Sequence, residues 1–393
     1  MTSLPMTQTE AAVTAWIAAR HDAMVTLLAD LVNADSGTYD KAGVDRAGDV
    51  LAAFFADHGL EVETIPHAVF GDAIRASLPQ PTANDQRPVI LMGHRDTVFP
   101  KGEPERRPFR IENGRGYGPG VADMKSGLAM NAFVIAALAA CGGHPAPVVM
   151  LVTSDEEIAS PSSRPVIERE ARAARCVFNS EPSRSPNVIT KGRKGGVFMK
   201  MEITGKAAHS GAHYARGISA ILEMSHKIAA LHAMTDLQAG VSVNVGLIGG
   251  GQTVNTIAPS AWGEIDLRYI TADQRETMVA RIRDCIENCT LPGASGKLTI
   301  SGEFLPLEET AASRRMFDIY RASGAEVGMN VTAEFTGGCA DSGYTAAVGC
   351  PTLCSVGPVG GGGHTPDEFV EIASLVPCAK ALALSVLRIN LAT

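Results

Sequence analysis

The 393-residue chain is short of aromatic residues, at 5%, and short of bases, with 34 Lys and Arg against 42 Asp and Glu, a formal net charge of −8. The first shortage removes a stacking platform for bases or sugars. The second argues against a nucleic-acid partner, because phosphate contacts need clustered cations, and the short segment KGRK at Lys191–Lys194 does not change that balance. None of the eight cysteines sits in a C-x-x-C pair, so reduced, buried thiols are expected rather than a zinc cluster. No run of about 18 uninterrupted apolar residues occurs, and residues 1–30 lack a basic segment followed by an apolar one. No membrane partner is therefore expected, and the cytoplasm is the expected location. Two signatures are missing as well: GRGYGPG lacks the G-x-G-x-x-G spacing of a nucleotide site, and no G-x-S-x-G elbow exists.

What is present is a globular composition, 45% apolar and 19% charged, on a chain long enough for two cores. The first part alternates helices and apolar runs. Helices are expected over about Thr9–Val32, Lys41–His58 and Asp123–Ala140, and strands in PVILMGHRD, PVVMLVT and CVFNS. This is the βαβ pattern of a mostly parallel sheet flanked by helices, an α/β fold. From Gly195 the texture changes to strand, helix, strand, strand, helix, strand, ending in KLTISGEF, the βαββαβ order of a ferredoxin-like unit. Alternation then resumes, so residues 193–304 are read as an insertion between 1–192 and 305–393.

The stretch VVMLVTSDEE raises the functional question. Asp155, Glu156 and Glu157 crowd the mouth of a strand apolar enough to be buried on both faces, and such acids repel one another unless a positive group offsets them. Other apolar runs end in similar fashion, at His94, Glu181 and His364, and Asp123 opens a helix after a Gly-Pro-Gly turn. Ligands in parallel α/β sheets bind beyond the carboxyl ends of the strands, which would gather these side chains on one edge. Each residue alone has an ordinary explanation, a hydrogen-bonded histidine or a solvated loop acid. Together two imidazoles and several carboxylates form a mixed nitrogen and oxygen set suited to Zn²⁺. His213, His226 and His232 are read as non-ligands.

The same residues carry a family resemblance. GHRDTV (His94, Asp96), GPGVADMKSG (Asp123), TSDEE (Glu156, Glu157), NSEPS (Glu181), GKAAHSG (His209), GGCADSG (Asp341) and GGGGHTPDE (His364) occur in order across about residues 88–370. They resemble the di-zinc metallopeptidases of the glutamate carboxypeptidase, aminoacylase and acetylornithine deacetylase group, with spacing most similar to the glutamate carboxypeptidase branch. The resemblance implies two Zn²⁺, with Co²⁺ or Mn²⁺ as alternatives. His94 and Glu181 would hold one, Glu157 and His364 the other, and Asp123 would be shared. It further implies that Glu156 is the general base, passing a proton from water to the leaving nitrogen of an amide, and that Asp96 orients His94. His209 would donate to the developing oxyanion of a partner subunit's site, while Asn255 and Arg268 would bind substrate. The glycines before His364, Gly362 among them, leave backbone amides unobstructed for an anionic or peptide-like substrate. A cis peptide at Asp123-Met124 is also implied, although Met124 stands where some members have a second Asp. The expected protein is thus a hydrolase of amides next to a free carboxylate, acting on small peptides or N-acyl amino acids. It would be dimeric through the inserted lid domain, with no folate assignment for the KGRKGG segment.

Overall fold

The computed structural model describes residues 6–80 and 85–389. Two compact units divide the chain, the larger from Met1–Gly192, Glu309–Phe335 and Ala340–Thr393, the smaller from Arg193–Glu308 and Thr336–Cys339. The smaller unit therefore runs past residue 304 and takes in Thr336–Cys339, which the sequence division had left in the larger one. Hydrogen bonds explain the second difference. The Lys194 amide donates to the Thr336 carbonyl at 3.1 Å, and the Arg193 guanidinium donates to the Gly338 and Cys339 carbonyls at 3.4 and 3.2 Å.

In the larger unit, an eight-stranded sheet runs in the spatial order Glu61–Ile65, Ala73–Leu78, Val148–Thr153, Val89–His94, Cys176–Asn179, Thr352–Cys354, Val188–Arg193 and Thr332–Thr336. Val89–His94 pairs in parallel with Val148–Thr153 on one side and with Cys176–Asn179 on the other, and Thr352–Cys354 extends the parallel block. These four strands are buried at every position, which is why they read as unbroken apolar runs rather than alternating ones. Antiparallel strands, Ala73–Leu78 and Glu61–Ile65, finish the edge beside Val148–Thr153. The chain leaves Val89–His94 to pair first on one flank and then on the other. This reversal opens a crevice at the carboxyl ends of the central strands.

Helix Ser126–Ala140 lies under the sheet with residues from Ser126 to Leu138 buried, so its apolar surface goes all the way round. It packs against Leu375–Arg388, which in turn packs on Ala311–Glu326 and on Gln8–Ala18. Each Leu, Ile or Val side chain buried there contributes about 1.5–3 kcal/mol. Thr7 starts Gln8–Ala18 through a capping box with Glu10. The single helix expected over Thr9–Val32 is two, Gln8–Ala18 and His21–Asn33, because Arg20 leaves the helical region at φ −123° and ψ 25°.

A second, small sheet was not foreseen. Arg110–Glu112, Arg115–Tyr117, Phe369–Glu371 and Gly360–Gly361 pair antiparallel, with Phe369 opposite Tyr117 and Val370 opposite Gly116. It brings the glycine loop before His364 against the turn that precedes Asp123.

The smaller unit has the order expected, with strands Gly195–Thr204, Ser242–Gly250, Ser260–Tyr269 and Ser295–Phe304 and helices Ala220–His232 and Ala272–Glu287. The strands lie as Ser242–Gly250, Ser260–Tyr269, Gly195–Thr204, Ser295–Phe304, all antiparallel. Ser260–Tyr269 alternates buried and open positions, which marks a sheet covered on one face. Val197, Met199, Ile265, Leu267, Leu231 and Ile282 form the core beneath it.

Candidate metal centre

His94 is the last residue of the central strand, Glu156 and Glu157 follow Val148–Thr153, and Glu181 follows Cys176–Asn179. Asp123 lies in the irregular turn Val121–Lys125 before the core helix, at φ −110° and ψ 91°, and its peptide bond to Met124 is cis. The small sheet supplies His364, whose backbone is in the left-handed region at φ 64°.

These side chains converge. Asp123 presents Oδ1 to His94 Nε2 at 3.2 Å and Oδ2 to His364 Nε2 at 3.3 Å. Glu157 reaches the same His364 nitrogen at 3.1 Å, while Glu181 and Glu156 stand 3.8 and 3.9 Å from His94 Nε2. Potential ligand atoms of His94, Asp123 and Glu157 all lie within 4.8 Å of one another.

Electrostatics follow from crowding acids in a buried place. Burial would depress the His94 imidazole, but Glu156, Asp123, Asp96 and Glu181 outweigh it and raise its pKa well above the usual value. Asp123 and Glu157 push His364 up to about 10. Burial raises Glu156 well above the carboxylate range and raises Glu157 too, whereas burial of Asp123 is overcome by His364 and His94, which hold it below that range. The acids thus favour positive charge on the two imidazoles, in the place where a cation would balance them. The donor set, imidazole nitrogens with carboxylate oxygens around a shared Asp, fits dications of the zinc type.

The triple acid also resolves into separate duties. Asp155 accepts the Ser162 and Ser163 amides at 2.6 and 3.3 Å at the start of helix Arg164–Ala173, so it shapes the turn. Glu157 faces His364, and Glu156 faces His94 without matching its neighbours' closeness. Behind them, Asp96 accepts the Glu156 and Glu157 amides at 3.2 and 3.3 Å and the Thr38 hydroxyl at 2.8 Å, and lies 3.3 Å from His94 Nδ1. It is fully buried, and burial is overcome by His94, Thr38 and the Glu157 amide, which lower its pKa.

Several groups near the centre had no role in the sequence reading. Arg95 is buried and donates to the Val44 carbonyl at 2.8 Å and the Thr153 carbonyl at 3.2 Å, with burial bringing its pKa down to about 10. Asp341 accepts the Ser160 hydroxyl at 2.5 Å and the Thr153 hydroxyl at 3.2 Å, and burial raises it to about 7. Lys125 is buried and donates to the Ala34 carbonyl at 3.0 Å; burial lowers it to about 8. Glu368 is buried beside Gly120–Asp123, and burial lifts it to about 7. GGGGHTPDE contains Glu368, yet a charged residue in a loop reads as exposed by default.

Other residues singled out lie in the smaller unit. His209 and Asn255 are both exposed, and their loops meet through the Ser210 amide and the Asn255 carbonyl at 3.0 Å. His209 Nδ1 accepts the Gly211 and Ala212 amides at 3.2 and 3.1 Å, and Asn255 accepts the Thr253 hydroxyl at 2.9 Å. Arg268 is half-buried and engaged, pairing with Asp266 at 2.8 Å and donating to Cys339 at 2.7 Å. In the larger unit, Gly362 is exposed at φ 69°, where a Cβ would lie 2.9 Å from the Asp367 carbonyl. His213 and His226 are exposed on the smaller unit, and His232 accepts the Val245 amide at 3.3 Å.

The chain is similar to known proteins. The chain is 30% identical over 362 residues to carboxypeptidase G2 of Pseudomonas sp. (strain RS-16), spanning 90% of this chain and 86% of that one. It is 27% identical over 356 residues to acetylornithine deacetylase of Pasteurella multocida (strain Pm70), spanning 85% and 88%. In fold it is similar to the M20 family metallo-carboxypeptidase Sso-CP2 from Sulfolobus solfataricus, with a TM-score of 0.78 at 16% identity over 94% of this chain and 99% of that one. Residues 90–388, which include every member of the cluster, match the peptidase family M20/M25/M40. The chain belongs to that family, and it is a metal-dependent peptidase or amidohydrolase.

Proposed function

We propose that the chain is an exopeptidase that removes a C-terminal residue, glutamate first among them, by cleaving the amide next to a free carboxylate. The observation that carries the metal reading is Asp123, with each carboxylate oxygen turned to a different imidazole. In this reading His94 and Glu181 hold one Zn²⁺, Glu157 and His364 the other, and Asp123 serves both. Such ions polarise an amide carbonyl and lower the pKa of water.

The chain's own groups do the rest. Glu156 stands beside the cluster without facing His364, and its burial raises proton affinity, so it can hold a proton between the attacking water and the leaving nitrogen. Asp96 fixes the His94 ring through Nδ1, leaving Nε2 for metal. A cavity of about 610 Å³ opens beside Glu157, lined by Thr38, Tyr39, Val98, Phe99 and Ile158, with room for a substrate side chain. His209 is the proposed oxyanion donor, and Asn255, Arg268 and the Gly362 amide the proposed substrate contacts. Arg268 would exchange its present Asp266 and Cys339 partners for a substrate carboxylate. Exposed Leu247 and Ile248 on the edge strand Ser242–Gly250 of the smaller unit, with exposed Trp262 on the strand beside it, support a homodimer, which light scattering would detect.

The similarity to acetylornithine deacetylase over 85% of the chain favours a second reading, removal of an acyl group from an N-acyl amino acid. A hydrolysis screen of dipeptides and N-acyl amino acids, with metal-loaded and chelated protein, separates the two. Glutamate-terminal peptides cleaved best support the first reading, and acetyl amino acids cleaved best support the second. Absence of turnover on every amide despite bound metal would overturn both.

A further inference from the structure

Glu368 is 0% exposed, although its neighbour Asp367 lies on the surface. Its carboxylate is committed to backbone. Oε2 accepts the Gly120 amide at 2.9 Å, and Oε1 accepts the Ala122 and Asp123 amides, each at 2.9 Å. These amides precede helix Ser126–Ala140, where N–H groups have no acceptor within the helix. The turn they belong to is not helical at Asp123 or Met124, so helical bonding does not set the direction of the Asp123 side chain. On the far side of the same turn, the Lys125 amide returns to the Gly120 carbonyl at 2.9 Å and its ammonium to Ala34.

Glu368 also lies in the connection between strands Gly360–Gly361 and Phe369–Glu371, the same hairpin loop that carries His364. His364 itself has little support, with 55% of its side chain exposed on a left-handed backbone. The same hairpin therefore delivers one imidazole and grips the turn bearing the carboxylate that this imidazole faces. We infer that Glu368 is a positioning residue that places Asp123 between His94 and His364, locking the register of the shared ligand to the hairpin that supplies the second histidine. The inference rests on the reading of Asp123 as a ligand common to two metals. A carboxylate suits the task because all three donors are N–H groups. An amide at the same position has one acceptor oxygen and turns its NH₂ toward one of those donors. An aspartate falls short by one methylene.

The test uses the full-length protein with Glu368→Gln, Glu368→Ala and Glu368→Asp, beside Val386→Ala as a control destabilised in the same core but away from the turn. Metal content, Zn²⁺ affinity by chelator competition, and the visible spectrum of the Co²⁺-loaded protein are read for each. Expected are a loss of about 10–100-fold in affinity for at least one metal in Glu368→Gln, an altered Co²⁺ spectrum, and a fall in kcat rather than a rise in KM. Val386→Ala should lower the melting temperature and keep affinity and spectrum. Should Glu368→Ala fail to fold, Glu368→Gln, nearly the same shape, carries the measurement. Wild-type affinity and spectrum in the Gln variant, with only a lower melting temperature, would overturn the inference alone. A wild-type protein that binds no metal would overturn the reading of Asp123 together with it.

Discussion

In the larger unit His94, Glu156 and Glu157 have the buried Asp96 behind them, whereas in the smaller unit His209 and Asn255 stand on exposed loops held by local bonds. Asp96 illustrates the first arrangement: fully buried, it takes two amides, one hydroxyl and a histidine. Asn255 illustrates the second, with one exposed hydroxyl on its oxygen. On the roles proposed above, the contrast follows from what each set must do. Metal ligands need placement to a few tenths of an ångström before any substrate arrives. Groups that meet substrate can be ordered by it, at an entropic cost in each binding event.

Metal removal tests the supported half most severely. Chelation should abolish amide hydrolysis, and added Zn²⁺ should restore it. Hydrogen exchange should quicken at Asp123, Glu156 and Glu157 and stay unchanged across Gly195–Phe304. Equal quickening in both units would erase the contrast. Next in size, Glu156→Gln should lower kcat by about 10²–10⁴ with metal content intact. Loss of metal instead would exchange the duties of Glu156 and Glu157. His209→Ala probes the unsupported half. A fall in kcat of roughly 10²–10³ is expected, with stability changed by no more than about 0.5 kcal/mol and metal content unaltered. A kcat near wild type would leave His209 an ordinary loop histidine.

Proton linkage sharpens the comparison further. Without metal the acids raise His94 and bring His364 to about 10, so both imidazoles are protonated near neutral pH and a cation must displace those protons. Apparent metal affinity should therefore climb with pH through neutrality and level off only near pH 10. Calorimetry in buffers of different ionisation enthalpy measures the protons released. A plateau beginning at pH 7 would mean that His364 titrates as a free imidazole.

Reading the sequence located most of the cluster because His94, Glu156, Glu157, Glu181 and His364 follow apolar runs, a local feature. His94, Glu157 and Glu181 need only a strand followed by a polar residue. The contact between Asp123 and His364 was visible only as motifs, since it depends on strands of two or three residues, such as Arg115–Tyr117 and Phe369–Glu371, too short to show a period. The interruption at Arg20 escaped for the opposite reason: apolar spacing continues across it without Gly or Pro to mark the break. Arg95, Lys125, Asp341 and Glu368 were illegible as supports. Their burial depends on partners distant in the chain, and no local pattern tells a buried charge from a solvated one.

The smallest expected effect addresses the supports directly. Thr38 donates a buried hydroxyl bond to Asp96, and Thr253 donates an exposed one to Asn255, with lengths of 2.8 and 2.9 Å. Valine keeps the branched shape of threonine and removes the donor in each. In the larger unit the change leaves a buried carboxylate with one partner fewer, at a cost of about 1.5–3 kcal/mol for a bond to a charged group. Asp96 retains His94 and two amides, so the lower end applies and metal affinity should fall by no more than about tenfold. Thr253→Val should leave stability within about 0.5 kcal/mol of wild type, because water replaces the lost donor at an exposed amide. Denaturant unfolding of both variants, read with Zn²⁺ competition, measures the difference. Equal losses would show that length of a hydrogen bond, rather than its burial, governs how these side chains are held.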